Sequence, residues 1–217
     1  MATREKLLAS LHAATTFRGG DRPLTYSALA RPYIDAGKRS LSERIALLIE
    51  RLRGYDAEVS ETTPQELHAT ITYVVEKSGR KQLVVPVGLP ATWLGPATNW
   101  QRDNGSAHGT IDAADGVMTA ASCAIADSGT IALHHGPLEG RRLLSLLPDW
   151  HLIVLHSCQI VETLPEYFAR FVEPPGLVTW ISGPSATADI EMTRIKGVHG
   201  PRFLSVIIVH DELSRPT

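Results

Sequence analysis

The sequence predicts an α/β fold, a three-layer and mostly parallel sheet with helices on both faces. Three observations point to it. Apolar runs at residues 83–85, 117–120, 152–155 and 206–209 are continuous rather than alternating, as strands covered on both faces must be. Between them lie stretches whose apolar residues recur at three- and four-residue spacing, as in amphipathic helices. Capping and stop residues fall at the borders, so strands and helices alternate along the chain.

Residues 3–13 read as a short helix with Leu7, Leu8 and Leu11 on one side. Residues 15–38 carry Gly19, Gly20, Pro23, Pro32 and Gly37 without a usable period. This predicts an arm packed across the body or ordered on a partner, or else a mobile leader. The expected organisation is an N-terminal helix and irregular arm over 1–39 and one α/β domain over 40–217. Ser40 with Glu43 makes a capping box, and Leu41, Ile45, Leu48, Ile49 and Leu52 follow at helical spacing. A short strand covers 57–60. Thr63, Pro64 and Glu66 open a helix with Leu67, Ile71, Val74 and Val75 on its apolar face. The strand at 83–85 is closed by Pro86 and Gly88. Residues 90–114 read as a long irregular stretch in which Trp93 and Trp100 form a lid or anchor the loop. Strands are expected at 117–120 and 130–134, a helix over 138–147 stopped by Pro148, and a strand at 151–156. Thr163 with Glu166 caps a helix carrying Leu164, Phe168, Phe171 and Val172. A strand at 177–182, a short helix over 187–196 and a strand at 203–209 complete the chain.

At 217 residues the chain buries enough surface to fold without metal or disulfide support. Its 21 Lys and Arg against 23 Asp and Glu give a net charge of -2, which excludes a general nucleic-acid binder. No apolar run approaches the roughly 18 residues of a membrane span. The first residues mix acid and base and lack a signal peptide's apolar segment. Cys123 and Cys158 form neither a disulfide framework nor a metal-site spacing, which predicts a reducing cytoplasm.

Ligands of an open parallel sheet bind beyond the carboxyl ends of its strands. That rule directs attention to the loops at 86–90, 156–158 and 183–187. The turn at 126–130 joins the same rim only if its strand runs the other way or the loop folds over. The stretch 181–191 is the richest: Gly183 and Pro184 stop a strand, and Ser185 or Thr187 caps the expected helix. Asp189 and Glu191 suit the helix N-terminus, and Arg194 and Lys196 its C-terminus. This describes a well-built strand–turn–helix, or a ligand loop whose free backbone N–H groups favour an anion. Two carboxylates oppose a phosphate there, so a small carboxylate or hydroxyl-rich ligand fits better. Ser128, Gly129 and Thr130 make a hydroxyl-bearing cradle or a plain turn. His199 serves as an acid or base near neutral pH, or hydrogen-bonds its own turn. The adjacent His134 and His135 face opposite ways on a strand and do not chelate together. Cys123 reads as a packed thiol rather than a nucleophile. No metal site is expected.

The run Ser182-Gly-Pro-Ser-Ala-Thr-Ala-Asp-Ile-Glu191, followed by Gly197-Val-His-Gly-Pro201, resembles the C-terminal signature of the lactate-utilisation (LUD) domain family. The segment Ala124-Ile-Ala-Asp-Ser-Gly-Thr-Ile-Ala-Leu133 is similar to the family's second block, with Asp127 and Ser128 where Glu-Thr is usual. The likeness spans about residues 40–210 and is of the small, stand-alone type. It implies a fold like the sugar-phosphate isomerase and CoA-transferase group. It also implies a role in bacterial L-lactate oxidation beside two iron–sulfur partner proteins. Two cysteines cannot hold a four-cysteine cluster, so iron–sulfur clusters are expected on the partners and none on this chain. The chain is then an accessory component. The alternatives are a free-standing isomerase or acyl-transfer enzyme using Asp189 or Glu191 as base, or a ligand sensor without chemistry.

Overall fold

The computed structural model describes residues 4–15, 34, 36–171, 173, 175–187, 195–196 and 199–211. The chain divides into two compact units, residues 1–33 and 34–217. In the first, α1 (Arg4–Thr15) is the expected helix, and Leu7, Leu8 and Leu11 on it are all exposed. Most of the arm expected over 15–38 lies outside the described residues.

The second unit is built on six parallel strands. They are β1 (Glu58–Thr62), β2 (Gln82–Pro86), β3 (Asn99–Asp103), β4 (Gly116–Ala120), β7 (Trp150–His156) and β12 (Phe203–Val209). Their order is β1-β12-β7-β4-β2-β3, every pair parallel. A second sheet holds β5 (Cys123–Ile125), β6 (Thr130–Leu133), β8 (Ile160–Val161) and β9 (Thr179–Ile181) in the order β8-β5-β6-β9. There β5 and β6, and β6 and β9, run antiparallel.

Alternation along the parallel strands divides the core in two. On one face α2 (Leu41–Gly54) lays Ile45, Leu48, Ile49 and Leu52 against Ile153 and Leu155 of β7 and Val206 and Ile208 of β12. Ala124, Ile131 and Leu133 of the second sheet close the same cluster. On the other face α3 (Leu67–Ser78) packs Leu67, Ile71, Val74 and Val75 on Leu83, Val85, Leu152, Val154 and Ile207. Each such side chain contributes about 1.5–3 kcal/mol by leaving water, which is why these two helices were the plainest in the sequence. The Ser40–Glu43 capping box forms as expected. The outer face of the second sheet packs Cys123, Ile125, Ala132 and Val161 on Tyr167 of α5 (Leu164–Arg170).

Several expectations are corrected. The stretch 90–114 is not irregular: it holds a 3-10 turn at Ala91–Trp93, the edge strand β3 and a short helix, α4 (His108–Asp112). Strand β3 reads Asn-Trp-Gln-Arg-Asp, so its edge position leaves no apolar run to read. Trp93 and Trp100 pack against the α3 core, and the Trp100 indole N–H donates to Gly95 O at 2.7 Å, so they are anchors rather than a lid. No helix covers 138–147, where only a 3-10 turn forms at Arg142–Ser145. Gly140 is left-handed (φ 71°), and the neighbouring buried Glu139 carboxylate accepts from the Ser122 hydroxyl and the His134 N–H, which holds the chain off a helical path. On α5 the buried side chain is Tyr167, while Leu164 and Phe168 are 46% and 53% exposed. Val172 lies outside the described residues.

The helix expected over 187–196 is also contradicted at both ends. Residues β10 (Ala186–Thr187) and β11 (Ile195–Lys196) pair antiparallel, Ala186 with Lys196 and Thr187 with Ile195. Cross-strand bonds satisfy backbone groups that a helix N-terminus would have left free for an anion. The anion-binding helix terminus proposed from sequence is therefore absent at Ser185–Thr187. Asp189 and Glu191 lie outside the described residues.

Candidate functional site

The antiparallel pairing of β6 and β9 sets Ile131 opposite Ile181, which brings the residues flanking them together. The Ser128 hydroxyl donates to Thr130 Oγ1 at 2.8 Å, and Thr130 Oγ1 is 2.7 Å from Ser182 Oγ. Thr130 Oγ1 accepts from Ser128 and either donates to or accepts from Ser182, so the three hydroxyls form one connected chain. Two glycines fix its ends. Gly129 (φ 67°) and Gly183 (φ 85°) occupy the left-handed region, where other residues are strained. A Cβ on Gly129 would lie 2.5 Å from Arg51 Cβ, and one on Gly183 would lie 2.4 Å from Tyr55 Cβ. Both turns thus rest on the last turn of α2, which is the post that positions them.

Two adjacent cavities open from this chain of hydroxyls. The larger, about 480 Å³, is lined by the polar Asp127, Ser128, Thr130 and Ser182 together with Leu164, Phe168 and Trp180. The second, about 270 Å³, lies against the amino ends of β7 and β12 and is lined by Ser182, Gly183, Ser185, His199 and His151. Trp180 and Ser182 line both. Neither cavity lies beyond the carboxyl ends of the parallel strands, so that expectation is corrected. The Gly183–Thr187 loop leaves a strand of the second sheet, whose direction the parallel sheet does not govern.

The structure therefore places Ser128 and Thr130 on the larger cavity and Gly183, Ser185 and His199 on the smaller, with Ser182 on both, while Gly129 shapes the turn without lining either. The Ser185 N–H donates to Pro201 O at 2.8 Å, and the His199 N–H donates to Ser185 Oγ at 3.4 Å. The His199 residue is exposed. Thr187 contributes its backbone to β10, and its side chain lies outside the described atoms.

His151 was not singled out from the sequence. It is 1% exposed, inside the parallel sheet, with Nε2 2.8 Å from Thr119 Oγ1. Burial pushes its pKa down to about 3, so the ring is neutral at physiological pH. Its Nδ1 has no hydrogen-bond partner among the described residues, a state that costs about 1–3 kcal/mol when a polar atom is buried. The available signal was a single histidine, second in the otherwise apolar run Trp150–Leu155.

The remaining candidates are structural in their contacts. His134 Nε2 meets the Tyr167 hydroxyl at 2.8 Å, and burial lowers its pKa. His135 is held between Gly140 O at 3.0 Å and Thr179 Oγ1 at 2.8 Å, so the two rings take different partners; they do so off the strand, since β6 ends at Leu133 and His135 is left-handed (φ 59°), which corrects the expected strand alternation. Cys123 is fully buried, and desolvation pushes its thiol up to about 11, which disfavours the nucleophilic thiolate. His156 Nδ1 lies 2.9 Å from Asp211 Oδ1, while the Ser157 hydroxyl and Cys158 N–H donate to Oδ2 at 3.2 and 3.1 Å. Burial alone would raise the Asp211 carboxyl, but the His156 ring and the Cys158 backbone and side chain bring it down to about 2. Among the described residues no three His, Cys, Asp or Glu side chains are grouped to hold a metal. No described helix is long and apolar enough to cross a membrane.

An α/β protein with a second sheet folded over one face, and a hydroxyl-lined crevice where two distant turns meet, is the class these features define. A model of the LUD domain family matches residues 45–209, and the chain belongs to that family. It is similar to the lactate utilization protein C of Deinococcus radiodurans, 38% identical over 212 residues that cover 96% of this chain and 97% of that one. The lactate utilization protein C of a Geobacillus species is 30% identical over 180 residues, covering 70% and 71%. A crystal structure of a DUF162 family protein from Deinococcus radiodurans superposes with a TM-score of 0.68 at 33% identity, covering 79% of this chain and 99% of that one.

Proposed function

We propose that this chain is an accessory component of a cytoplasmic system that oxidises L-lactate, acting beside iron–sulfur partner proteins and carrying no redox centre of its own. The observation that carries the reading is the nearly full-length similarity to a protein named for lactate utilisation. The donor set supports the accessory role. Of two cysteines, Cys123 is buried in the second sheet and Cys158 is exposed at the end of β7, which falls short of the four thiolates an iron–sulfur cluster takes. Electrons then pass through the partners. The crevice at Ser128, Thr130 and Ser182 supplies this chain's part, holding a small carboxylate or hydroxylated ligand for the assembly.

Affinity purification of the tagged full chain from cells growing on L-lactate tests the assembly. Iron and acid-labile sulfide recovered in stoichiometric amounts, in other polypeptides, are expected. Recovery of the chain alone, under conditions that preserve known iron–sulfur complexes, overturns the accessory role.

A further inference from the structure

Among the described residues that line the larger cavity, of about 480 Å³, Asp127 is the one ionisable side chain. It is exposed, and its carboxylate makes no ion pair or hydrogen bond with another described residue. Beside it the lining is apolar, and Trp180, Phe168 and Leu164 are 42%, 53% and 46% exposed. Both rings rest on the buried Tyr167, whose ring centroid lies 5.2 Å from that of Phe168 and 4.7 Å from that of Trp180. A carboxylate beside exposed aromatic rings attracts a cation in two ways, by its charge and through the ring quadrupole. The hydroxyls add to this preference. Ser128 commits its proton to Thr130 Oγ1, so what it offers a ligand is lone pairs. No Lys, Arg or His among the described lining residues offsets Asp127, so the same wall repels carboxylates and phosphates. The smaller cavity has no acidic residue among its described lining and includes His199, so a small carboxylate is better placed there.

We infer that the larger cavity binds a small organic amine, with its ammonium at Asp127 and its apolar body over Trp180, Phe168 and Leu164. The inference rests on the reading of the crevice as a ligand site and is independent of lactate, an anion that this wall disfavours. An exposed ion pair binds weakly by itself. The ligand must therefore also take apolar surface out of water, and the three exposed side chains supply that surface. A free amino acid is a poor fit, because its carboxylate enters together with its ammonium.

The test uses probes of one shape and different charge. Benzylamine, benzyl alcohol and benzoate are titrated into the full chain while the indole N–H signal of Trp180, assigned through Trp180→Phe, is followed by NMR. Should that variant fail to fold, through-bond assignment of the wild-type signal replaces it. A saturable shift with benzylamine is expected, with benzyl alcohol about fivefold weaker and no saturation with benzoate. Sodium chloride should weaken benzylamine binding and leave benzyl alcohol little changed. Asp127→Asn, a nearly isosteric change at an exposed position, should bring benzylamine to the level of benzyl alcohol. An undiminished benzylamine preference in Asp127→Asn overturns the site. Equal affinity for the three probes also overturns the amine and leaves a ligand crevice without charge preference, whereas silence of Trp180 toward all three removes the ligand crevice itself. Neither result touches the lactate role, which is decided by whether cells need the chain to consume lactate.

Discussion

Thr130 and Ser182 are 52 positions apart in the chain, and their hydroxyl oxygens meet at 2.7 Å. This contact ties the turn entering β6 to the loop leaving β9, and it makes one crevice from two separate blocks of sequence. Removing either hydroxyl leaves its partner in a site only part-buried, so each loss is modest. Thr130→Val and Ser182→Ala are each expected to cost about 1 kcal/mol in chemical denaturation, and the double variant less than their sum. Strict additivity would mean that the two hydroxyls do not interact.

Gly129→Ala and Gly183→Ala are expected to be among the most damaging single changes near the crevice. Each places a Cβ within 2.5 Å of the end of α2 and forces a left-handed residue. A loss of about 2 kcal/mol or more follows from strain and overpacking together. Gly109→Ala, with nothing within 4 Å and no positive φ, is the matched control and should be neutral or slightly stabilising. Thermal melting of the three variants side by side checks this.

The buried His151 sets an acid limit on stability. Its pKa falls from an ordinary 6.5 to about 3 on folding, so between those values the unfolded chain binds the extra proton. The contribution is complete above about pH 6.5 and is lost as pH falls toward 3, amounting to a few kcal/mol. The Asp211 carboxyl, brought down from 3.8 to about 2, adds a second loss between those two values. Denaturation midpoints measured from pH 7 to pH 4 should fall for the parent and fall less steeply for a folded His151→Phe.

The thiols should differ in alkylation. Cys123 is buried with its thiolate disfavoured, so it should resist iodoacetamide until the protein unfolds. Cys158 is exposed, yet partial burial and the Asp211 carboxylate raise its pKa. Asp211→Asn removes that negative charge, and Cys158 alkylation at pH 8 should become faster; mass-spectrometric time courses would reveal no change if Asp211 were unimportant.

Sequence disclosed the elements that physics makes repetitive. Continuous apolar runs gave β7 and β12, and the 3.6-residue period with its capping box gave α2. It concealed elements whose partners lie elsewhere in the chain. Strand β5 is three small or compact residues, Cys123, Ala124 and Ile125, and only the neighbouring strands β6 and β8 make it a strand. The leucines at 138, 143, 144 and 147 imitate a helix, but Leu144 reaches its core with Val84, Ile111 and Val117 from a single 3-10 turn. The crevice was legible in part because hydroxyls and glycines cluster visibly at 128–130 and 182–185. His151 was hidden because a strand's apolar neighbours give no hint that one buried nitrogen lacks a partner.

Growth tests the proposed role most directly. Cells lacking this chain alone, and complemented or not by a plasmid copy, should be supplied with L-lactate as sole carbon source and their lactate consumption followed. Consumption should stop without the chain, return with the plasmid copy, and growth on glucose should be unaffected throughout. Undiminished lactate consumption in the uncomplemented cells would contradict the role in lactate oxidation.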